Sequence, residues 1–333
     1  MSTSSKEASL DYAPTISDQT SVEANGPDQF QSCYLPARMG NMADLAYGGC
    51  ALGVGLRSAG ETVSPQYTLY SVTGSFLAPV SIAFQLQCCV CRLRDTKTFA
   101  TRHVEVKQKQ KDGTTRLCMV ILTDFQKGTE KSLLTYSTNP TKEYSPPDKC
   151  LTPFEAGEKM VDNGELPEES LKLYKSLFGL MHRFFEFRQA PEGIAANNLS
   201  GIAKHRYSDQ DELELTQKTS ADWFRSRQQL SSPNDHYAAL IFMMDGFLSF
   251  LPLAHNKMFL DDAVACSSLD FALRLFVVDL KVDDWNLREM KTVCGGNGRT
   301  YTEGRLWDQQ GKLIASMTQQ AVLRPKQNAP ARL

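Results

Sequence analysis

Hydrophobic and polar positions along the chain repeat one broad pattern. Small and apolar residues recur at helical spacing over 48–62, opened by Gly48-Gly49, and four strand-like segments follow at 66–80, 83–94, 98–107 and 115–125. Alternation is clearest in the third, where Phe99, Thr101 and His103 oppose Ala100, Arg102 and Val104. Lys111-Asp112-Gly113 supplies a hairpin turn before the fourth. The second half predicts a helix over 234–250, behind Pro233 and capped by Asn234 or Asp235. Strands follow at 264–276, 284–293, 299–307 and 313–324, the last three separated by turns at 295–298 and 308–311. The expected class is α+β, with a helix and four antiparallel strands occurring twice. One irregular α+β domain is the other arrangement of the same elements.

The flanking segments read differently. Residues 129–169 are polar and carry Pro140, Pro146, Pro147, Pro153 and Pro167, as a connector would, leading into a short helix near 171–180. Segments 184–188 and 223–228 read as edge strands of the second unit. Polar residues over 193–215 predict an exposed loop insertion, in which Asn198-Leu199-Ser200 matches a glycosylation acceptor that an intracellular chain would not use. Residues 1–28 are rich in Ser, Thr, Asp and Glu, resemble no signal or transit peptide, and predict a mobile tail to about Gly26. The most apolar stretch, 237–254, carries Asp245 and Pro252, so no membrane span is expected.

Composition narrows the function classes. Of 333 residues, 41% are hydrophobic and 22% charged, ordinary globular usage that excludes wholesale disorder. Lys and Arg total 36 against 38 for Asp and Glu, so nothing in the charge favours nucleic acid or an anionic membrane as partner. Nine cysteines without a framework spacing read as reduced intracellular thiols. Cys88, Cys89 and Cys91 crowd one strand with no complementary Cys/His pair, which predicts core side chains and neither metal nor cofactor. The last three residues, Ala331-Arg332-Leu333, resemble a peroxisomal address of the Ser-Lys-Leu type, read by an import receptor.

Asp245 carries the most chemical weight. It lies in a run, 240–251, that is apolar on every helical face, and such a helix is buried around its circumference. A carboxylate there costs several kcal/mol unless it is hydrogen-bonded or opens onto a cavity. It is either a functional acid or a buried Asp satisfied by amides near Gly246. Ser267 and Ser268 start a strand, and Gln319 falls on the face of the final strand shared by Ala315, Met317 and Ala321. Spacing alone does not join these residues. The five histidines show no Ser/His/Asp logic and no Gly-x-Ser-x-Gly elbow exists, which disfavours an α/β-hydrolase.

The motifs together resemble the acyl-CoA thioesterase II family. They are Gly48-Gly49, Ser75-Phe76-Leu77-Ala78-Pro79, Arg94-Asp95 with Phe99-Ala100-Thr101-Arg102, and Met244-Asp245-Gly246 before Leu251-Pro252. Ser268-Leu269-Asp270, Asp284-Trp285, Gly304-Arg305-Leu306-Trp307-Asp308 and Ala315-Ser316-Met317-Thr318-Gln319 complete the set, in order from about Gln29 to Pro325. The resemblance implies a double hotdog, two units each with a helix wrapped by an antiparallel sheet. It divides the chain into a disordered tail (1–27), an N-terminal hotdog (28–130), a linker with short helices (131–180), a C-terminal hotdog (181–326) and a tail carrying the targeting tripeptide (327–333). It also implies hydrolysis of acyl-CoA by direct attack of water, with Asp245, Ser268 and Gln319 as catalytic residues.

Departures from the family pattern fall at Thr73, Ala78, Phe271 and Phe276, where relatives often carry His or Arg; they are expected around the acyl and CoA pocket. Two other functions share the fold: a dehydratase, hydratase or cyclase, which would place His103 or His255 within reach of Asp245, and a non-catalytic acyl-binding protein. Exposed apolar sheet surface in such a fold predicts a homo-oligomer.

Overall fold

The computed structural model describes residues 12–128 and 131–326. The first half forms α1 (Ile16–Gln19), β1 (Val22–Ala24), β2 (Gln29–Ser32), α2 (Gly48–Gly60), β3 (Tyr67–Phe76), β4 (Leu86–Asp95), β5 (Phe99–Lys109) and β6 (Thr115–Lys127). A connecting stretch carries α3 (Pro153–Asp162) and α4 (Glu168–Phe184). The second half forms β7 (Phe185–Gln189), α5 (Ile194–Asn197), β8 (Ser220–Ser226), α6 (Pro233–Asp245) and α7 (Leu251–His255). It ends with β9 (Ala263–Leu275), β10 (Asn286–Gly296), β11 (Arg299–Asp308) and β12 (Leu313–Pro325).

These strands form one antiparallel sheet in the order β1-β2-β4-β5-β6-β3-β9-β12-β11-β10-β8-β7. The order is the same read from either end: β4-β5-β6-β3 in one half answers β10-β11-β12-β9 in the other. The halves join where β3 meets β9, with Thr73 opposite Ala272 and Gly74 opposite Phe271. Period-two alternation sets the layers. In β12, Ala315, Met317, Gln319 and Ala321 are buried while Ser316, Thr318 and Gln320 are half-buried.

The buried face of the sheet covers α2 and α6, which pack antiparallel. A Cβ added at Gly49 would lie 2.9 Å from the Phe242 carbonyl oxygen, one at Gly53 3.6 Å from that of Ala238, and one at Gly60 against Asn234. Any residue larger than glycine at position 49 would force the helices apart. The N-terminus of α2 therefore sits at the C-terminus of α6.

Helix α6 differs from its expected limits at both ends. Ser232 is the cap, in a capping box with Asp235, and Pro233 takes the first helical position. The helix stops at Asp245 instead of continuing to 250, because side chains take over its last carbonyls. Arg288 Nη1 donates to the carbonyls of Met243 (2.8 Å) and Gly246 (2.9 Å), and the Tyr47 hydroxyl donates to that of Phe242 (2.6 Å). Gly246 is then extended and Phe247 takes φ +83°. The Arg288 guanidinium is itself held by Asp222 at 2.9 and 3.1 Å, both residues being buried.

Four other expectations are corrected. Residues 12–27 are not a disordered tail: Ala13, Ile16, Gln19 and Thr20 are buried, and β1 and β2 extend the sheet beside β4. The segment 193–215 is not an exposed insertion, since Ile194, Ala195, Asn198, Leu199, Ser200 and Gln210 are all buried. The acceptor sequence at Asn198 is therefore enclosed in the protein. The helix after the connector is not short, running from Glu168 to Phe184. Of the clustered cysteines only Cys88 is in the core; Cys89 and Cys91 are exposed, because pairing with β5 turns alternate β4 residues outward. Residues 1–11 and the terminal tripeptide lie outside the described residues.

Replacing Arg288 by Met leaves the Asp222 carboxyl buried without its partner and takes the guanidinium away from the Met243 and Gly246 carbonyls. Denaturant unfolding is expected to show a loss of about 3–5 kcal/mol. A loss below about 1 kcal/mol would remove Arg288 as the device that ends the helix.

Candidate active site

The end of α6 brings Asp245 to the beginning of α2. Its side chain is only 5% exposed. Gln319 Nε2 donates to Asp245 Oδ1 at 2.8 Å, and the Gly49 amide also bonds the carboxylate. The Tyr47 hydroxyl lies beside it while donating to Phe242. Gly48 must lack a side chain, because a Cβ there would lie 2.9 Å from Asp245 Oδ2 and 2.9 Å from the Phe76 ring. Burial pushes the Asp245 carboxyl up to about 6, against the opposing pull of Gln319, the Gly49 amide and the neighbouring Tyr47 hydroxyl.

Gln319 is fully buried in β12, between Phe271 of β9 and Thr302 of β11 in the ladder. Its amide Oε1 is buried and makes no hydrogen bond. Each half of this carboxamide thus has a distinct state: the nitrogen is committed to Asp245 and the oxygen is left as an acceptor.

Ser268 reaches the same place through a break in the ladder. Gln320 pairs with Asp270 and Ala321 with Ser268, so Leu269 is the extra residue of a β-bulge. A bulge re-aims side chains that alternation would send to opposite faces. Cys266, Ser267, Ser268 and Leu269 all line one cavity of about 510 Å³, together with Asp245, Tyr47, Gly48 and Phe76. The structure therefore brings Asp245 and Gln319 into direct contact and sets Ser268 on the wall of the cavity that Asp245 borders.

No histidine is hydrogen-bonded to Asp245 among the described residues. His255 instead bonds Ser220 at 2.9 Å, and burial lowers its pKa to about 3. His103 lies on β5, opposite Cys91 and Leu122. The geometry that would favour a dehydratase is not the one found. Of the family departures, Ala78 lines the cavity and Phe271 packs edge-on against Phe76 at 5.9 Å between centroids. Phe276, expected near the same pocket, borders a separate opening of about 720 Å³ at the other end of the β3–β9 seam, and Thr73 pairs within the seam.

The sequence reading missed Tyr47, Arg288 and the Gly49 amide. Tyr47 had a signal, as the residue before Gly48-Gly49 at a helix start. Arg288 had none, because its role depends on α6 ending where it does.

Comparisons with known proteins agree with this architecture. The family description "Acyl-CoA thioesterase N-terminal domain" matches residues 35–126, and "Acyl-CoA thioesterase C-terminal domain" matches 166–323. Similar solved structures include an acyl-CoA thioesterase II, TesB2, from Mycobacterium marinum, at 20% identity and TM-score 0.66, covering 95% of this chain and 99% of that one. A tesB protein of Mycobacterium avium subsp. paratuberculosis aligns at 16% identity and TM-score 0.65 over 93% and 98% of the two chains. A hotdog-fold protein of unknown function from Alicyclobacillus acidocaldarius aligns at 16% and 0.64 over 95% and 98%. The fold is the double hotdog. With both of its halves matched in order, the chain belongs to the acyl-CoA thioesterase family and is a thioester hydrolase.

Proposed function

We propose that the chain hydrolyses acyl-CoA thioesters at Asp245, with Gln319 and Ser268 as its partners. The observation that carries this reading is the Gln319 carboxamide, whose nitrogen holds Asp245 while its oxygen remains an unpaired buried acceptor. One water molecule donating to both Asp245 and Gln319 Oε1 would be held with its lone pair free to attack. Ser268, on the cavity wall, supplies a hydroxyl that orients the water or the thioester.

In the proposed step the water oxygen bonds to the thioester carbonyl carbon while Asp245 accepts its proton. The tetrahedral intermediate then collapses, the carbon–sulfur bond breaks, and Asp245 returns the proton to the departing thiolate. The products are a carboxylic acid and free CoA. The N-terminus of α2, at Gly48 and Gly49, presents its positive end at the same wall of the cavity, where negative charge develops.

Asp245 must be ionised to accept a proton. Thiol release is therefore expected to be half-maximal near pH 6, to fall on its acid side and to level off about one unit above it. Asp245→Asn should lower kcat by about 10²–10⁴-fold. Gln319→Ala should act in the same direction, and Ser268→Ala more weakly, with Ser268→Thr retaining turnover. Unchanged turnover in Asp245→Asn, measured across short, medium and long acyl-CoAs, would refute the assignment.

Stability should move oppositely. A carboxyl raised in the folded state favours the protonated form, so its contribution to folding is largest below 3.8 and is lost as pH rises through about 6. At pH 7 the ionised group opposes folding by up to about 3 kcal/mol. Asp245→Asn is expected to be inactive and yet about 1–3 kcal/mol more stable at that pH by denaturant unfolding.

The proposal extends to peroxisomal import through Ala331-Arg332-Leu333 and to self-association. An N-terminally fluorescent chain should co-localise with a peroxisomal marker and lose that pattern when the tripeptide is removed. Light scattering should give a mass above that of one chain.

A further inference from the structure

A second, inner pocket of about 50 Å³ lies next to the catalytic cavity. Met39, Phe178, Phe247 and Phe250 line both. Asp245 borders the outer cavity and the next residue, Gly246, borders the inner one. Phe247 and Phe250 stand edge to face at 4.5 Å between them. The inner space has room for about three or four water-sized groups, enough for the end of an acyl chain and not for a long segment of one.

Its lining is mainly apolar but carries a small group of polar side chains. The polar positions of that wall are Tyr174, His182, Gln189 and Ser200 and the Asp222–Arg288 ion pair. Gln189 is 5% exposed and donates from Nε2 to Ser200 Oγ at 3.1 Å; the Tyr174 hydroxyl is 3.3 Å from the same oxygen. Gln189 Oε1 is buried and makes no hydrogen bond. Turning the amide over would pair its oxygen with Ser200 and leave the nitrogen instead, so one polar position of this carboxamide is open in either orientation. The ion pair is mutually satisfied, which leaves the Gln189–Ser200–Tyr174 group and the His182 ring as the parts of the wall able to bond a ligand, and of these Gln189 Oε1 is the buried atom without a partner.

We propose that this pocket recognises a hydroxyl group at or next to the end of the acyl chain, making the preferred substrate an ω- or (ω−1)-hydroxyacyl-CoA. The hydroxyl donates to Gln189 Oε1 and its oxygen faces the Ser200 and Tyr174 hydroxyls. A methyl end would leave Gln189 Oε1 without a partner, and discrimination follows from that one acceptor being paired or not. The inference rests on the thioesterase reading above, because the outer cavity is where the thioester is placed.

The test is a series of straight-chain acyl-CoAs from four to twelve carbons, each compared with its ω-hydroxy, (ω−1)-hydroxy and (ω−1)-oxo counterparts by thiol release. At the chain length that reaches the inner pocket, kcat/KM for a hydroxyacyl-CoA is expected to exceed that for the unsubstituted chain by about tenfold or more. The oxo compound, which cannot donate to Gln189 Oε1, should gain less. Gln189→Met should bring the hydroxy-to-plain ratio down toward one, mainly through KM. Tyr174→Phe provides a second variant should Gln189→Met fail to fold. Equal or lower kcat/KM for hydroxyacyl chains at every length, or a ratio unmoved in a folded variant, would overturn the inference while leaving hydrolysis itself standing. Absence of hydrolysis from every compound would instead sink the catalytic reading. The same pairs compared by titration calorimetry would then still decide the pocket: tighter binding of the hydroxyacyl compound by the wild type alone supports it, and equal binding overturns it.

Discussion

Two helices approach so closely at Gly49 that a single added carbon would meet the Phe242 carbonyl, and the site exists because of that contact. Antiparallel packing places the last residue of α6 against the first residues of α2. A carboxylate at the C-terminus of its own helix faces the negative end of that helix dipole, an unfavourable position. Here the N-terminus of the other helix and the Gly49 amide supply the opposite sign, and Arg288 occupies the carbonyls that would repel the charge. Burial still wins, holding the carboxyl near 6 and leaving a group that is ionised at neutrality and readily protonated. A looser helix pair would admit solvent and return Asp245 to an ordinary acid.

The pseudo-symmetry of the fold shows that the charge was not forced by the architecture. Helices α2 and α6 each span 13 residues, and the counterpart of Asp245 at the end of α2 is Gly60. At that opposite crossing a Cβ on Gly60 would run into the Asn234 side chain, and Arg57 pairs with Asp235 at 2.5 Å. The ionic groups there neutralise each other across the helix ends. The same scaffold therefore carries two unlike crossings, one closed by an ion pair and one holding a buried carboxylate with a neutral amide beside it.

How much of this could be read in the sequence depended on whether burial followed composition. Strands β3–β6 and β9–β12 were legible because one face of each lies on apolar helices, which imposes alternation. Asp245 was legible because a charge stands out in an apolar run, and Gln319 because it shares a face with Met317 and Ala321. The segment 193–215 was misread for the opposite reason. Asn198 bonds the Ala254 carbonyl, and Gln210 bonds the carbonyls of Glu192 and Thr219, so polar side chains are buried by pairing with backbone and not by being apolar. Strands β1 and β2 are three and four residues long, too short for a period-two signal to emerge from a polar background. The bulge at Leu269 left no trace in the sequence, because it exists only in the register between two strands.

That bulge shows how the site tolerates distance in sequence. Asp245 and Gln319 are held by rigid elements, the end of a helix and the middle of a central strand, and their 2.8 Å contact is set by the packing of helix on sheet. Ser268 sits next to one of the two places where β9 departs from its ladder, and four successive residues, Cys266 to Leu269, line the cavity. The division of labour follows from these constraints. The acid and the carboxamide are fixed by packing, and β9, Phe247 and Phe250 form the cavity wall beside them.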